Sequence, residues 1–316
     1  MKNLICLLLC FSFLLPFGAK GQTAQLINQR GGTHNYQMEV DGLLRQFLVH
    51  FPANYDPSGD QLFPVVFMLH GGGGSGKKYY NISGWKELGE QEGIVTVFPT
   101  AYEVCFVDRM GQTKKGNYWL TTDKSEQLCS GQKDHSDANF LRAIADYLKA
   151  NHQTDTRRFY CTGFSNGMGT TMTRVIPQLS DVFAAVGGTG SMTLDELSTP
   201  NPMPCLMMVS SHDPKLIQHN GGQPFPTTVE GIEQNELLTQ VMANMCQLLQ
   251  LELSYEAAEK KKHTSFVFEK PLNGGNQKLQ FTILKGLKHV YPRGIPEHNN
   301  IEAAKIFWDF FQEYQL

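Results

Sequence analysis

Residues 158–168 read Arg158-Phe159-Tyr160-Cys161-Thr162-Gly163-Phe164-Ser165-Asn166-Gly167-Met168, and this stretch decides the fold. Arg158–Thr162 is a short apolar run of the kind that forms a buried strand, and Met168–Leu179 has helical character. Between them stands G-x-S-x-G. A strand that turns at once into a helix forces the serine between them into a strained conformation and lifts its hydroxyl above the sheet. The glycines two positions to either side remove Cβ atoms that would strike the neighbouring element. The competing reading is a glycine-rich turn that happens to contain a serine.

Working outward, Pro64–Leu69 and Gly93–Pro99 are continuous apolar runs of strand length, as expected of strands covered on both faces. Before them, Tyr36–Val40 and Leu44–Phe51 flank Asp41-Gly42, a hairpin signal. Helical stripes fall at Trp85–Glu92, Asp137–Asn151, Gly231–Leu251 and Ile301–Tyr314, and further strands at Phe183–Gly187, Cys205–Val209, Phe266–Phe268 and Leu279–Leu284. Two early antiparallel strands followed by alternating strands and helices predict a mostly parallel, doubly wound α/β sheet with helices on both faces. Residues 22–316 read as one catalytic domain, without repeats or a linker. Residues 100–135 read as a long polar loop.

Serine is a poor nucleophile until a base takes its proton. His289 follows the last strand and is the candidate base. Asp213, in Ser210-Ser-His-Asp-Pro214 after strand Cys205–Val209, is the candidate carboxylate that would fix the imidazole. Asp213-Pro214 is also good turn chemistry, and both roles are compatible. The chain order Ser165, Asp213, His289 suits an α/β-hydrolase. His70-Gly71-Gly72-Gly73-Gly74, directly after a buried strand, is a candidate oxyanion loop, with Gly72 and Asn166 as backbone donors. A phosphate loop is the rival, but no Gly-Lys-Ser/Thr follows it. His70 reads as a brace for the loop.

The aromatics Trp85, Tyr102, Tyr118 and Trp119 fall in or beside loops that border such a site. Tyr118, Trp119 and Trp85 are the candidate substrate contacts; Trp85 also fits as the core residue of a helix start.

Lys2, the apolar stretch Leu4–Phe17 and Ala19-Lys20-Gly21 read as a signal peptide over residues 1–21. The expected location is secreted or periplasmic, with no membrane attachment after the leader is removed. Its loss takes the formal charge from -3 to -5. The remaining charges are interspersed, which disfavours a nucleic-acid partner. Export permits disulfides, and Cys105 with Cys129 is the expected pair, while Cys161 and Cys205 sit in strand-like runs. No CxxC or clustered Cys/His spacing suggests zinc, and the chemistry calls for neither metal nor organic cofactor. Lys260-Lys261-Lys262 reads as a solvated helix end. The oligomeric state is not legible.

Taken together, Val65–Gly74, Asp137–Leu141, Thr162–Gly167, His212-Asp213-Pro214 and Lys288–Pro292 resemble the α/β-hydrolase branch that holds polyhydroxybutyrate depolymerases, feruloyl esterases and acetylxylan esterases. The pieces occur in order from about residue 40 to the C-terminus. The resemblance implies nucleophile Ser165, acid Asp213, base His289 and oxyanion donors Gly72 and Asn166, with Asp137 in a structural role. It implies a small-molecule or polysaccharide ester as substrate, feruloylated or acetylated xylan first and short hydroxyalkanoate esters second. A departure is Gly167-Met168, where that branch often has two glycines. A binding module that kept the fold and lost turnover is the rival of another class, and the intact Ser, Asp, His order argues against it.

Overall fold

The computed structural model describes residues 23–107, 111–121, 128–133, 135–192 and 197–316. The leader expected at 1–21 lies outside them. The strands are β1 (Ala24–Arg30), β2 (Thr33–Val40), β3 (Leu43–His50), β4 (Phe63–Leu69), β5 (Val95–Pro99), β6 (Glu103–Val107), β7 (Thr113–Asn117), β8 (Thr154–Phe164), β9 (Ala185–Thr189), β10 (Cys205–Ser210), β11 (Glu256–Glu259), β12 (His263–Phe268) and β13 (Leu279–Leu284). Helices are α1 (Gly76–Ile82), α2 (Trp85–Glu92), α3 (Asp137–Asn151), α4 (Asn166–Thr170), α5 (Ile176–Gln178), α6 (Val229–Glu233), α7 (Glu236–Leu248) and α8 (Ala303–Phe311).

One 11-stranded sheet has the order β1-β2-β3-β5-β4-β8-β9-β10-β13-β12-β11. The six central strands, β5 to β13 in that order, run parallel, and antiparallel strands extend both edges. β4 explains why the centre is double-sided. All seven of its residues are buried. Val65, Phe67 and Leu69 join a core with α3 and α7, while Val66 and Met68 join a second core with α1, α2 and α8. Alternation across a strand thus feeds two layers of helices.

β5 lies on one side of β4 and β8 on the other, so the strand order reverses between the loops that leave β4 and β8. A doubly wound sheet opens a crevice at such a point, beyond the carboxyl ends of the strands. The glycine run follows β4 and Ser165 follows β8.

Several elements depart from the sequence reading. β1 and β11 were not expected. Their residues face solvent almost throughout, so no apolar alternation marks them. The segment 100–135 is not one open loop: it holds the β6/β7 hairpin, whose Val104 and Phe106 turn inward. The helix expected at Gly231–Leu251 is two, because the Asn235 side chain accepts from Leu238 N–H and starts α7 afresh. Lys260-Lys261-Lys262 tops the turn between β11 and β12 rather than ending a helix.

Candidate active site

Ser165 has φ 53° and ψ -116°, a region that side chains other than glycine rarely enter. The surroundings hold it there. Its N–H donates to Thr189 O at 2.8 Å, and its carbonyl accepts from Gly169 N–H at 2.9 Å. A Cβ on Gly163 would lie 2.4 Å from the Gly167 carbonyl carbon, and one on Gly167 would lie 2.5 Å from Leu69 O. Both glycines are therefore required by contact with the elbow itself and with β4. Beyond α4 the helix widens into a π turn at Thr171–Val175 before α5, where Pro177 cannot donate to the ladder.

His289 Nε2 stands 3.0 Å from Ser165 Oγ, and His289 Nδ1 stands 2.6 Å from Asp213 Oδ2. Asp213 is fully buried, and its Oδ1 accepts from Lys215 N–H at 2.9 Å. The carboxylate can only accept, so it fixes the Nδ1–H tautomer and leaves Nε2 to receive the serine proton. The acid and base loops are stitched together by Ser211 N–H to Leu284 O and His212 N–H to Leu287 O, each at 2.9 Å. Gly286 N–H also donates to Ser211 Oγ at 2.8 Å.

Across from this array lies the glycine run. Gly73 N–H donates to Asn117 O, and Gly74 N–H to Gly71 O. Among the described residues the N–H groups of Gly72 and Asn166 donate to no protein acceptor. His70 braces the loop from beneath. Its Nε2 accepts from Ala101 N–H at 2.9 Å, and its Nδ1–H donates to Gly71 O at 2.7 Å. Burial lowers its pKa to about 4, so the ring stays neutral and cannot compete as a second base.

Neither a family model nor a curated protein sequence matches the chain. Solved structures do. An S-formylglutathione hydrolase from Agrobacterium tumefaciens superposes with TM-score 0.57 at 13% identity, covering 91% of this chain and 98% of that one. An acetyl xylan esterase from Aspergillus awamori gives 0.52 at 15%, covering 92% and 98%. An S-formylglutathione hydrolase from Staphylococcus aureus gives 0.50 at 10%, covering 92% and 99%. The chain has the α/β-hydrolase fold. At such identities the likeness concerns the fold, and the chemistry has to come from the site.

Within this α/β-hydrolase fold the structure brings together Ser165, His289 and Asp213, and it separates the expected aromatic contacts. Trp85 is fully buried, stacked on Phe311, with its indole N–H donating to Tyr291 Oη at 3.1 Å. It is a core residue. Trp119 is also fully buried, and its indole N–H donates to His70 O at 2.8 Å. It cannot touch substrate either. The indole has an apolar body and one donor, and it is spent on bracing the glycine run from inside. Only Tyr118 reaches the site, its ring packed against Gly72.

Two participants went unread in the sequence. Phe164 wedges its ring between the glycine run and His289, with ring centroids 4.9 Å apart from the imidazole. The Asn166 side chain is tied to the Trp119 backbone in both directions. A phenylalanine and an asparagine inside G-x-S-x-G were available as signals, but their partners lie in loops that only the fold brings near. The Cys105–Cys129 disulfide is present, and Cys161, Cys205 and Cys246 are free and buried. Among the described residues no group of three or more His, Cys, Asp or Glu is placed to hold a metal ion.

Proposed function

We propose that the chain is an exported serine esterase that cleaves carboxylic esters through an acyl-enzyme. One observation carries the reading: an unbroken hydrogen-bonded series from buried Asp213 through His289 to the strained Ser165 hydroxyl. Ser165 Oγ attacks the ester carbonyl as its proton passes to His289 Nε2. The tetrahedral oxygen takes its negative charge between the N–H groups of Gly72 and Asn166. Collapse breaks the bond to the alkoxy oxygen, which leaves as an alcohol with the proton from His289. Water then gives a proton to the same nitrogen, attacks the acyl carbon and frees the acid, restoring Ser165.

For the substrate we favour esters of plant cell-wall polysaccharide, acetyl ahead of feruloyl. Burial of Trp85 and Trp119 takes away most of the aromatic rim that spoke for a ferulate ring. Short hydroxyalkanoate esters are the alternative. Export is supported by the leader-like segment and by the Cys105–Cys129 disulfide, which persists in oxidising compartments.

The test is acid release by leaderless protein and its Ser165→Ala variant from an acetylated xylo-oligosaccharide, methyl ferulate and a hydroxybutyrate oligomer. Serine-dependent release from the first supports the full reading, and preference for another ester changes the substrate alone. No serine-dependent release from any, by folded protein, would favour a binding module on this fold.

A further inference from the structure

The two donors of the candidate oxyanion hole stand outside the sheet. The β4/β8 ladder ends at the pair Leu69↔Gly163, and Gly72 and Asn166 each lie three residues further on. Strand pairing therefore does not set the distance between them. Beside the close packing of Gly167 on the Leu69 and His70 carbonyls, a hydrogen-bonded strap at Asn117–Leu120 ties the two loops together.

Asn117 O accepts from Gly73 N–H at 2.9 Å, and its Nδ2 donates to Gly74 O at 3.1 Å. Two residues on, the Trp119 indole N–H donates to His70 O at 2.8 Å. The same residue grips the other loop through its backbone. Its N–H donates to Asn166 Oδ1 at 2.8 Å, and its carbonyl accepts from Asn166 Nδ2 at 3.0 Å. The strap is anchored from behind, because Leu120 N–H donates to Asp137 Oδ2 at 2.6 Å and Leu120 O accepts from Arg174 Nε at 3.2 Å. Asp137 is itself held by the buried Arg45, 2.7 Å away. Five hydrogen bonds thus join one segment to both donor-bearing loops, and buried groups fix that segment in place.

We propose that Trp119 and the Asn166 side chain are positioning residues that set the spacing of the oxyanion donors for the esterase reaction. Asn166 then has two duties, its N–H as donor and its amide as the clamp that places that N–H. The inference rests on the esterase reading and adds to it. Donors must lie close to where the oxyanion forms, and a misplacement near 1 Å costs about a hundredfold in rate. Trp119→Phe keeps a ring in the cavity and removes one clamp bond; Asn166→Ala removes two. The backbone N–H donors are present in both variants.

The experiment measures kcat, KM and the pH profile per titrated active site for wild type, Trp119→Phe and Asn166→Ala, together with affinity for phenylboronic acid, which forms a tetrahedral adduct on the serine. The expected result is a kcat loss of about tenfold for Trp119→Phe and about a hundredfold for Asn166→Ala. Boronate affinity should fall in step, KM should change little, and the pH profile should not move, since His289 and Asp213 are untouched. A merely structural role would lower Tm and the titratable fraction, leaving kcat per site within about twofold and boronate affinity at the wild-type value; that pattern overturns the proposal. If Asn166→Ala does not fold, Trp119→Phe decides alone. A wild-type protein inert towards every ester overturns the esterase reading itself, an outcome visible before any variant is made.

Discussion

Replacing Gly72 by alanine probes the oxyanion loop with one methyl group. Gly72 does not need a positive φ, so an alanine backbone is allowed there and the perturbation is purely steric. The new Cβ would stand 2.4 Å from Tyr118 Cε1 and 2.8 Å from Cδ1, where ordinary contact begins at 3.4 Å. Ring or loop must therefore yield by about 1 Å. The ring is not free to swing away. The Phe106 ring packs edge-on against it, with centroids 5.1 Å apart. The loop should move, carrying the Gly72 N–H off its target. The expected loss in kcat/KM is about a hundredfold, or roughly 2.7 kcal/mol of transition-state stabilisation. The assay is a double-mutant cycle on the preferred ester with Gly72→Ala, Tyr118→Ala and both together. Once the ring is gone the methyl has room, so Gly72→Ala should cost less than about threefold in the Tyr118→Ala background, a coupling near 2 kcal/mol. Equal losses in the two backgrounds would refute the steric argument and the position of Tyr118 beside the donor.

Ser165→Gly should abolish ester turnover yet raise stability by about 1 kcal/mol in denaturant unfolding, since glycine accepts φ 53° without penalty; a loss of stability would mean the elbow stores no strain. Burial lowers the pKa of both His70 and His152 to about 4. The unfolded chain therefore binds more protons below the ordinary histidine value of about 6.5, and stability present above that pH is lost as pH falls towards 4. For His70 this amounts to roughly 3 kcal/mol, checked by Tm across that window; a flat Tm would contradict the burial of a neutral ring. The Cys105–Cys129 bond closes a loop of sequence separation 24, so Cys105→Ser with Cys129→Ser should cost about 3 kcal/mol. In unreduced, unfolded protein lacking its leader, thiol titration should find three groups, and five would show the bond open.

The parallel centre of the sheet was legible because strands covered on both faces are built mostly from apolar residues, with small polar ones such as Thr96 the exception, so β4 and β5 stand out as apolar runs. The edges were not. β1 and β11 are held by backbone ladders and by polar side-chain contacts such as Asn28 with Asn35 and Glu259 with Lys285, neither of which leaves an apolar alternation in the sequence. The β6/β7 hairpin hid for a related reason: only Val104 and Phe106 turn inward, too few to announce a period within a polar stretch. The division of Gly231–Leu251 turned on one capping asparagine inside an otherwise helical pattern.

Ser165, Asp213 and His289 could be named from sequence because each follows a readable strand, and the end of a strand in a doubly wound sheet is a fixed address. The fates of Trp85 and Trp119 were of a different kind. Both are large aromatics near loops, and nothing local says whether an indole faces solvent or core. That was decided by partners distant in the chain: Tyr291 and Phe311 for the first, His70 and Asn166 for the second. The sequence by itself determined the doubly wound α/β class and the chemical groups delivered to the sheet's carboxyl edge, because burial and elbow geometry are local demands on residue type. Tertiary structure alone decided which side chains support that site from within, because a hydrogen bond between loops depends on where the fold brings them together.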